Sequence, residues 1–257
     1  MPHIISQDED RHLTECYGTL DADEETAANI KSTLKEIGLD DIEKIRIKRL
    51  NEAGKKKLEI ENTVIVFEEG ELRYLFINDD WFKKLPTGQQ HFIIGHEGVH
   101  LKYDHIKKSE MRRRIDLGII AGTGGISLYA HKALSDYFML ESEENKWKKR
   151  GLDLLLIAGF LTTLYVIIES GNSFERGHEY EADGEAARIL GCYDDACEAL
   201  RAAEKDHYAW MDKEGIARER EASILPSRYP TFEQRIANIK KIKDDILTAK
   251  HNLEKNI

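Results

Sequence analysis

The chain has 257 residues, of which 41% are hydrophobic and 33% are charged, so it can bury a core and fits one domain with or without an inserted segment. Its formal net charge of -10 at pH 7 argues against a protein that binds duplex nucleic acid, because that class needs a broad basic face. The three cysteines lack the spacing of a disulfide framework, and the N-terminal sequence lacks a secretory signal pattern. We therefore expect an intracellular protein that binds no nucleic acid.

The first part of the chain predicts a helix followed by a small sheet. An acidic capping sequence at 21–24 starts a helix that ends near Gly38. Three short segments rich in β-branched and aromatic residues then predict strands, and a Glu-Gly pair between the last two predicts a hairpin. These segments are 44–50, which contains Ile45 and Ile47, 58–67 and 71–79. We expect them to form a three-stranded sheet.

The rest of the chain predicts helices. After Pro86 the apolar residues follow helical spacing through His100. Two strongly apolar segments follow, 115–130 and 152–168, each preceded by a run of basic residues. From residue 174 onward the sequence again has helical character.

These elements predict an α+β fold that is mostly α-helical. We expect the small β-sheet to pack on the helix that carries His96 and His100. The predicted organisation is a single domain over residues 1–257, with an inserted apolar helical hairpin over residues 112–170.

The sequence His96-Glu97-Gly98-Val99-His100 has the residue types and spacing of a zinc site. Residues four apart on a helix project from one face, so both imidazoles can bind one ion, and Glu97 can reach a water there. The surrounding sequence is apolar, where such polar groups are costly to bury without a metal or good partners. Glu179 is the best candidate for the third ligand. Asp183, four residues further on, can accept a hydrogen bond from the outer N–H of a ligating histidine.

Three motifs resemble those of the HtpX and CAAX prenyl protease type 1 family of gluzincin zinc metallopeptidases, which includes the mitochondrial OMA-type proteases. They are His96-Glu97-x-x-His100, Arg176-x-x-Glu179-x-x-Ala182-Asp183 and Pro230-x-x-x-x-Arg235-Ile236. The resemblance implies that His96, His100 and Glu179 bind one catalytic zinc ion, that Glu97 is the general base and that Asp183 supports the site. It also implies that the strand around Leu75-Phe76-Ile77 is an active-site edge strand that binds the substrate backbone.

Two positions depart from the family pattern. Tyr229 stands where relatives commonly have a histidine, and Gly98-Val99 replaces a bulkier pair. We interpret Tyr229 and Arg235 as catalytic groups that can stabilise the oxyanion of a tetrahedral intermediate, by a hydrogen bond and by positive charge. The alternatives are a packing or turn role for Tyr229 and a surface position for Arg235.

Other polar residues near the motifs have simpler interpretations. His105, five residues after His100, is expected to be a histidine at a helix end rather than a ligand. His178 and Glu181 flank the predicted ligand Glu179 but project from other faces of the helix, which favours surface positions for both.

The two apolar segments are compatible with two hypotheses. A helical hairpin that dips into or crosses a bilayer would keep both halves of the zinc site on one side, and the family resemblance supports it. A buried hairpin in a soluble protein is favoured by the low mean hydropathy of -0.53. Basic residues precede both segments and therefore do not choose an orientation. The predicted location is membrane-associated or cytoplasmic.

The predicted function is a zinc-dependent endopeptidase that hydrolyses peptide bonds in a peptide or protein substrate. The alternative is a catalytically silent, zinc-containing module with a binding or regulatory role. The presence of Glu97 beside the two histidines counts against this alternative.

Overall fold

The computed structural model describes residues 19–58, 64–69, 72–137, 146–213, 215 and 227–255. The described strands are β1 (Thr19–Asp21), β2 (Ile45–Leu50), β3 (Val64–Glu69) and β4 (Leu72–Ile77). The described helices are α1 (Glu24–Glu36), α2 (Glu52–Leu58), α3 (Asp79–Phe82), α4 (Thr87–Lys102), α5 (His105–Tyr137), α6 (Lys146–Leu190), α7 (Tyr193–Lys213) and α8 (Phe232–Glu254). The predicted fold class, α+β and mostly helical, is confirmed.

Helix α1 begins with an acidic cap, as the sequence predicts. Asp23 is the cap residue, and its carboxylate accepts a hydrogen bond of 2.9 Å from the backbone N–H of Thr26. The helix ends at Glu36, after which Gly38 adopts a φ of 84°. A residue with a Cβ rarely adopts this left-handed conformation, so the glycine allows the chain to turn toward β2.

The sheet has the strand order β1-β2-β4-β3. Strands β3 and β4 pair antiparallel, as predicted, although the predicted turn residue Gly70 lies outside the described residues. The fourth strand, β1, is only three residues long, too short for an alternating pattern to reveal it. Strand β4 pairs with β2 on one side and β3 on the other. The expectation that residues 75–77 form an edge strand is therefore wrong, and β3 ends the described sheet.

The sheet packs on α4, as predicted. Leu75 and Ile77 of β4 share a buried cluster with Ile94 and Leu101 of α4, and Leu34 of α1 joins them. All five side chains are at most 1% exposed. Removing this apolar surface from water stabilises the contact between the sheet and the helix that carries the histidines.

A second buried cluster fixes α4 against the C-terminal helices. It contains Phe92 and Val99 of α4, Ala182 and Ala186 of α6, Leu200 of α7 and Ile239 of α8. Small alanine side chains allow α6 to approach α4 closely. The two segments predicted to carry the metal ligands are therefore held together by a shared core.

The chain divides by its internal contacts into two compact units. One comprises Met1–Ile106, His178–Ala222 and Pro230–Ile257, and the other comprises Lys107–Gly177 and Ser223–Tyr229. In the second unit, Arg112 donates to Ser170 at 2.8 Å and His131 lies 2.6 Å from Asp153, so α5 and α6 run antiparallel there.

Helix α6 extends for 45 residues without a break. It joins the apolar segment 152–168 to Glu179, two features that the sequence suggests as separate helices, and no proline interrupts it. Among the described residues, one helix, Trp147–Leu190, is long and apolar enough to cross a membrane by length and composition. Helix α5, which contains residues 115–130, does not meet that criterion.

Candidate metal centre

His96, His100 and Glu179 bring three ligand atoms together. The Nε2 atoms of the two histidines are 3.0 Å apart, and each lies 3.6 Å from an oxygen of the Glu179 carboxylate. Within the part of the chain that the structure describes, this is the group of His, Cys, Asp and Glu side chains whose ligand atoms all lie within 4.8 Å of one another. The spacing on α4 supplies two of these atoms and α6 supplies the third.

The donor set fits a zinc ion. Zinc binds imidazole nitrogen and carboxylate oxygen, and a catalytic site keeps three protein ligands and one open position. Two imidazole nitrogens that face each other at 3.0 Å cannot both carry a proton, and His96 is buried. A shared cation explains why these polar atoms point at one another in a poorly hydrated place.

Asp183 links His96 to Arg235. Its Oδ1 lies 2.9 Å from Nδ1 of His96, and Arg235 donates to both of its oxygens. Burial raises the pKa of the Asp183 carboxyl, but the Arg235 guanidinium outweighs this effect and holds that pKa well below its usual range. Burial also opposes protonation of His96, yet the hydrogen bond and charge of Asp183 raise its pKa. A second contact of Arg235, from Nη1 to an oxygen of Glu179 at 3.3 Å, connects the guanidinium to the third predicted ligand.

Glu97 meets the end strand of the sheet. The backbone N–H of Val66 in β3 donates a hydrogen bond to its carboxylate. Burial raises the pKa of Glu97 to about 7, although the nearby charges of His96 and Arg235 oppose the shift. A carboxyl group with a pKa near neutrality can accept a proton from water and release it again at the same pH.

His100 has a different partner at its outer nitrogen. Its Nδ1 lies 2.9 Å from Nδ1 of His105, and Nε2 of His105 lies 3.2 Å from the Glu181 carboxylate. The rings of His105 and His178 are parallel, with centroids 4.1 Å apart. Both histidines are buried, so the predicted surface position of His178 is wrong. Burial and the neighbouring histidines lower the pKa of His100, which favours the neutral imidazole that a metal requires.

The sequence did not predict the contacts of His105 with His100 and His178, because the expected position of each histidine rested on the geometry of its own helix alone. The chain turns at Asp104, between α4 and α5, and this turn places His105 next to His100. The spacing of the histidines could have indicated a cluster, since three of them occur within the ten residues 96–105 and a fourth, His178, precedes the predicted ligand Glu179. Their mutual contact depends on tertiary packing.

The two predicted oxyanion groups lie in different compact units. Arg235 belongs to the same unit as the predicted ligands and contacts Asp183 and Glu179. Tyr229 belongs to the other unit, is 50% exposed, and has the Arg228 guanidinium 5.2 Å from its ring centroid. The Ser227 hydroxyl donates to the Tyr229 carbonyl oxygen at 2.8 Å, which is a turn contact. The catalytic role of Tyr229 stays a prediction.

The glycines of α4 face neighbouring helices. A Cβ at Gly98 would lie 2.9 Å from Cδ2 of Leu34 in α1, and a Cβ at Gly95 would lie 2.6 Å from Cδ1 of Leu190 in α6. The departure from a bulkier residue at position 98 therefore matches a close approach of α1 to the motif helix.

Comparison with known proteins agrees with this geometry. The model of peptidase family M48 matches residues 65–243, which is more than half of the chain and includes every predicted site residue. No curated protein and no solved structure matches the chain significantly. Members of the matched family are zinc-dependent metallopeptidases, in agreement with the group of two histidines and a glutamate. The family relationship predicted from the three motifs is confirmed, and the chain belongs to peptidase family M48.

Proposed function

We propose that the protein is a zinc-dependent endopeptidase in which Glu97 is the general base. The observation that carries the proposal is the convergence of His96, His100 and Glu179 next to Glu97, a carboxyl group whose pKa is raised to about 7. Family membership supports the hydrolysis of peptide bonds, and with it a peptide or protein substrate.

Each polar group of the site has a task in this reaction. His96, His100 and Glu179 would hold a zinc ion, which when bound would supply a Lewis acid for the scissile carbonyl and lower the pKa of a water molecule there. Glu97 accepts the proton of the attacking water and then donates it to the nitrogen of the leaving amine. Asp183 fixes the orientation of His96 through Nδ1, and the two hydrogen bonds from Arg235 hold Asp183 in place.

The developing oxyanion needs a hydrogen-bond donor or a positive charge. We propose Tyr229 as this donor, since a phenolic O–H can supply the hydrogen bond for which relatives use a histidine. The contacts of Arg235 with Asp183 and Glu179 support a positioning role for Arg235. Its guanidinium is already paired with these two carboxylates, so less of its positive charge acts on the oxyanion.

Strand β3 is the proposed binding site for the substrate backbone. It ends the described sheet, and the N–H of Val66 on this strand reaches the Glu97 carboxylate. An extended peptide can add to the end strand of a sheet through hydrogen bonds between the two backbones. This addition would bring the scissile bond next to Glu97.

The test compares the wild-type protein with Glu97→Gln in zinc content and in cleavage of casein. Glutamine preserves the size of the side chain and an oxygen for the Val66 N–H, but it cannot accept a proton. We expect about one zinc ion per chain in both proteins and a loss of cleavage of about 100-fold or more in the variant. Glu185→Gln is the matched control, since Glu185 lies on α6 outside the metal centre and pairs with Arg188. Unchanged cleavage by Glu97→Gln would exclude the proposed base.

The alternative function, a catalytically silent zinc-containing module, makes a different prediction in the same assay. It predicts wild-type protein that binds zinc and cleaves neither casein nor other unfolded substrates. The raised pKa of Glu97 favours the enzyme, because a purely structural zinc site has no need for a carboxyl group poised near neutrality.

We also propose that the apolar part of α6 associates with a lipid bilayer. Leu154, Leu155 and Leu161 are 68%, 73% and 56% exposed. Soluble proteins rarely leave so much contiguous apolar surface in water, and the helix is long enough to enter a membrane. The protein would then be membrane-associated rather than cytoplasmic.

A further inference from the structure

The two histidine ligands differ in what lies behind them. His96 meets the carboxylate of Asp183, whereas the outer nitrogen of His100 faces the imidazole of His105 at 2.9 Å. His105 is only 2% exposed, so water does not compete freely for this contact. A buried imidazole that does not bind the metal still requires hydrogen-bond partners for its nitrogens.

The protons of this contact have one consistent arrangement. If Nε2 of His100 binds the metal, its proton must be on Nδ1. That N–H then donates to Nδ1 of His105, which must be the unprotonated nitrogen of that ring. The proton of His105 is consequently on Nε2, and this N–H donates a hydrogen bond to the Glu181 carboxylate, 3.2 Å away. In this arrangement the two facing nitrogens, Nδ1 of His100 and Nδ1 of His105, share one proton between them and do not repel each other.

The position of His105 is fixed on several sides. His178 stacks on its ring with an interplanar angle of 1°, and the Tyr103 ring lies 5.9 Å away at 27°. The preceding residue, Asp104, has a φ of 52°, and its carboxylate accepts a hydrogen bond of 2.8 Å from Arg73 of β4. The left-handed conformation is uncommon for a residue with a Cβ, so packing and this hydrogen bond must hold the turn.

We propose that His105 is a positioning residue for His100. Its Nδ1 accepts a hydrogen bond from the Nδ1–H of His100 and thereby fixes the tautomer and ring orientation in which Nε2 faces the metal. Glu181 orients His105 in turn, and His178 holds its ring plane by stacking. The inference rests on the proposed function, since it takes Nε2 of His100 as a zinc ligand.

Zinc affinity tests the proposal without any measurement of activity. The metal-free wild-type protein and its variants compete for zinc with a chromophoric chelator, which gives the dissociation constant of each. We expect His105→Leu to weaken zinc binding about 10- to 100-fold, the usual effect of removing a hydrogen-bond partner behind a ligand. His105→Asn, whose side-chain oxygen can take the place of Nδ1, should restore binding to within a few-fold of the wild type. His91→Leu, on α4 outside the metal centre, is the control.

Three results would overturn the proposal. Zinc affinity of His105→Leu equal to that of the wild type would show that the contact does not support His100. An equal loss in His105→Leu and His105→Asn would assign the effect to ring packing rather than to the hydrogen bond. A wild-type protein that fails to bind zinc would refute the proposed function and this inference with it, whereas zinc binding that is insensitive to position 105 would refute the inference alone.

A spectroscopic test on the unmodified protein does not depend on the folding of any variant. In the Co²⁺-substituted protein, the N–H protons of metal-bound imidazoles give strongly shifted NMR signals that disappear as they exchange with D₂O. We expect two such signals with slow exchange, one protected by Asp183 and one by the buried His105. Fast exchange of the His100 signal would contradict the proposal.

Discussion

Arg235 donates two hydrogen bonds to Asp183, one to each carboxylate oxygen, and both are 2.7 Å long. The acceptor is completely buried and also lies against Nδ1 of His96. A planar guanidinium matches a carboxylate at two points, a geometry that lysine cannot reproduce. The negative charge of Asp183, next to the proposed ligand His96, is therefore held in place by Arg235 on α8, 52 positions further along the chain.

Replacement of Arg235 by leucine should be strongly destabilising. It leaves the Asp183 carboxylate buried without its cation, and such a loss costs about 3–5 kcal/mol of unfolding free energy. Arg235→Lys should fall between this variant and the wild type, because a lysine can restore charge but only one contact. Urea denaturation of the metal-free proteins measures the difference. Arg188→Leu, a control at an exposed ion pair with Glu185, should stay within about 0.5 kcal/mol of the wild type. Equal effects at the two positions would contradict this account.

Glu97 should make the metal-free protein less stable as the pH rises. The pKa of its carboxyl is about 7 in the folded protein and ordinarily 4.5, so between these values the unfolded chain releases a proton that the folded protein retains. Each pH unit in this window therefore favours the unfolded state by about 1.4 kcal/mol, for a total of about 3 kcal/mol. Below pH 4.5 both states are protonated, and above pH 7 both are ionised.

The comparison of Glu97→Gln with the wild type isolates this effect, because glutamine does not titrate and the other groups are shared. At pH 5 the two metal-free proteins should unfold with similar free energies. At pH 8 the variant should be more stable by up to about 3 kcal/mol. A difference that is the same at both pH values would show that the pKa of Glu97 is not raised.

Gly98 should tolerate alanine but not isoleucine. A single Cβ at this position would press on the terminal methyl of Leu34, which can move, and the higher helix propensity of alanine offsets that cost. The larger side chain would also meet Ile37 and should lower the unfolding free energy by about 1–3 kcal/mol. Thermal unfolding of both variants measures these effects. Gly118→Ile on α5, where a Cβ meets open space, should not lower the unfolding temperature.

The convergence of His96, His100 and Glu179 could be predicted from the sequence, because it follows from helix geometry and from the number of ligands that zinc needs. Helical spacing pairs His96 with His100, and a catalytic zinc ion requires a third protein ligand, for which Glu179 was the best candidate. The contact of His105 with His178 could not be predicted in this way, since it depends on the turn at Asp104 and on the packing of α5 against α6. A position on one helix predicts which residues share its face, but it does not predict what another helix brings to that face.

The same limit applies to the sheet. Alternation and a turn pair predict the hairpin of β3 and β4, because both signals lie within a few residues. The short strand β1 carries no alternation, and the parallel pairing of β2 with β4 joins segments that are distant in sequence. The order of strands, and with it the identity of the end strand beside Glu97, is therefore a property of the tertiary structure.

Membrane association should depend on the exposed apolar face of α6. We expect the expressed protein to stay in the membrane fraction after carbonate extraction. Substitution of Leu154, Leu155 and Leu161 by lysine should release it, since a lysine at the centre of a membrane helix costs about 2.5–3.5 kcal/mol. Leu247 and Leu253 on α8 are 54% and 66% exposed, so their replacement by lysine is the matched control and should not change the fractionation.

The comparison of the two sets of leucine substitutions distinguishes insertion of α6 into the membrane from adhesion through any exposed apolar surface. If both sets released the protein equally, the membrane fraction would reflect aggregation or non-specific adhesion rather than α6. If the wild-type protein were soluble after carbonate treatment, the helix would not be inserted. Release by the α6 substitutions with zinc content retained would show that the apolar segment attaches the protein to the bilayer while the metal centre folds without it, although both lie on one continuous helix.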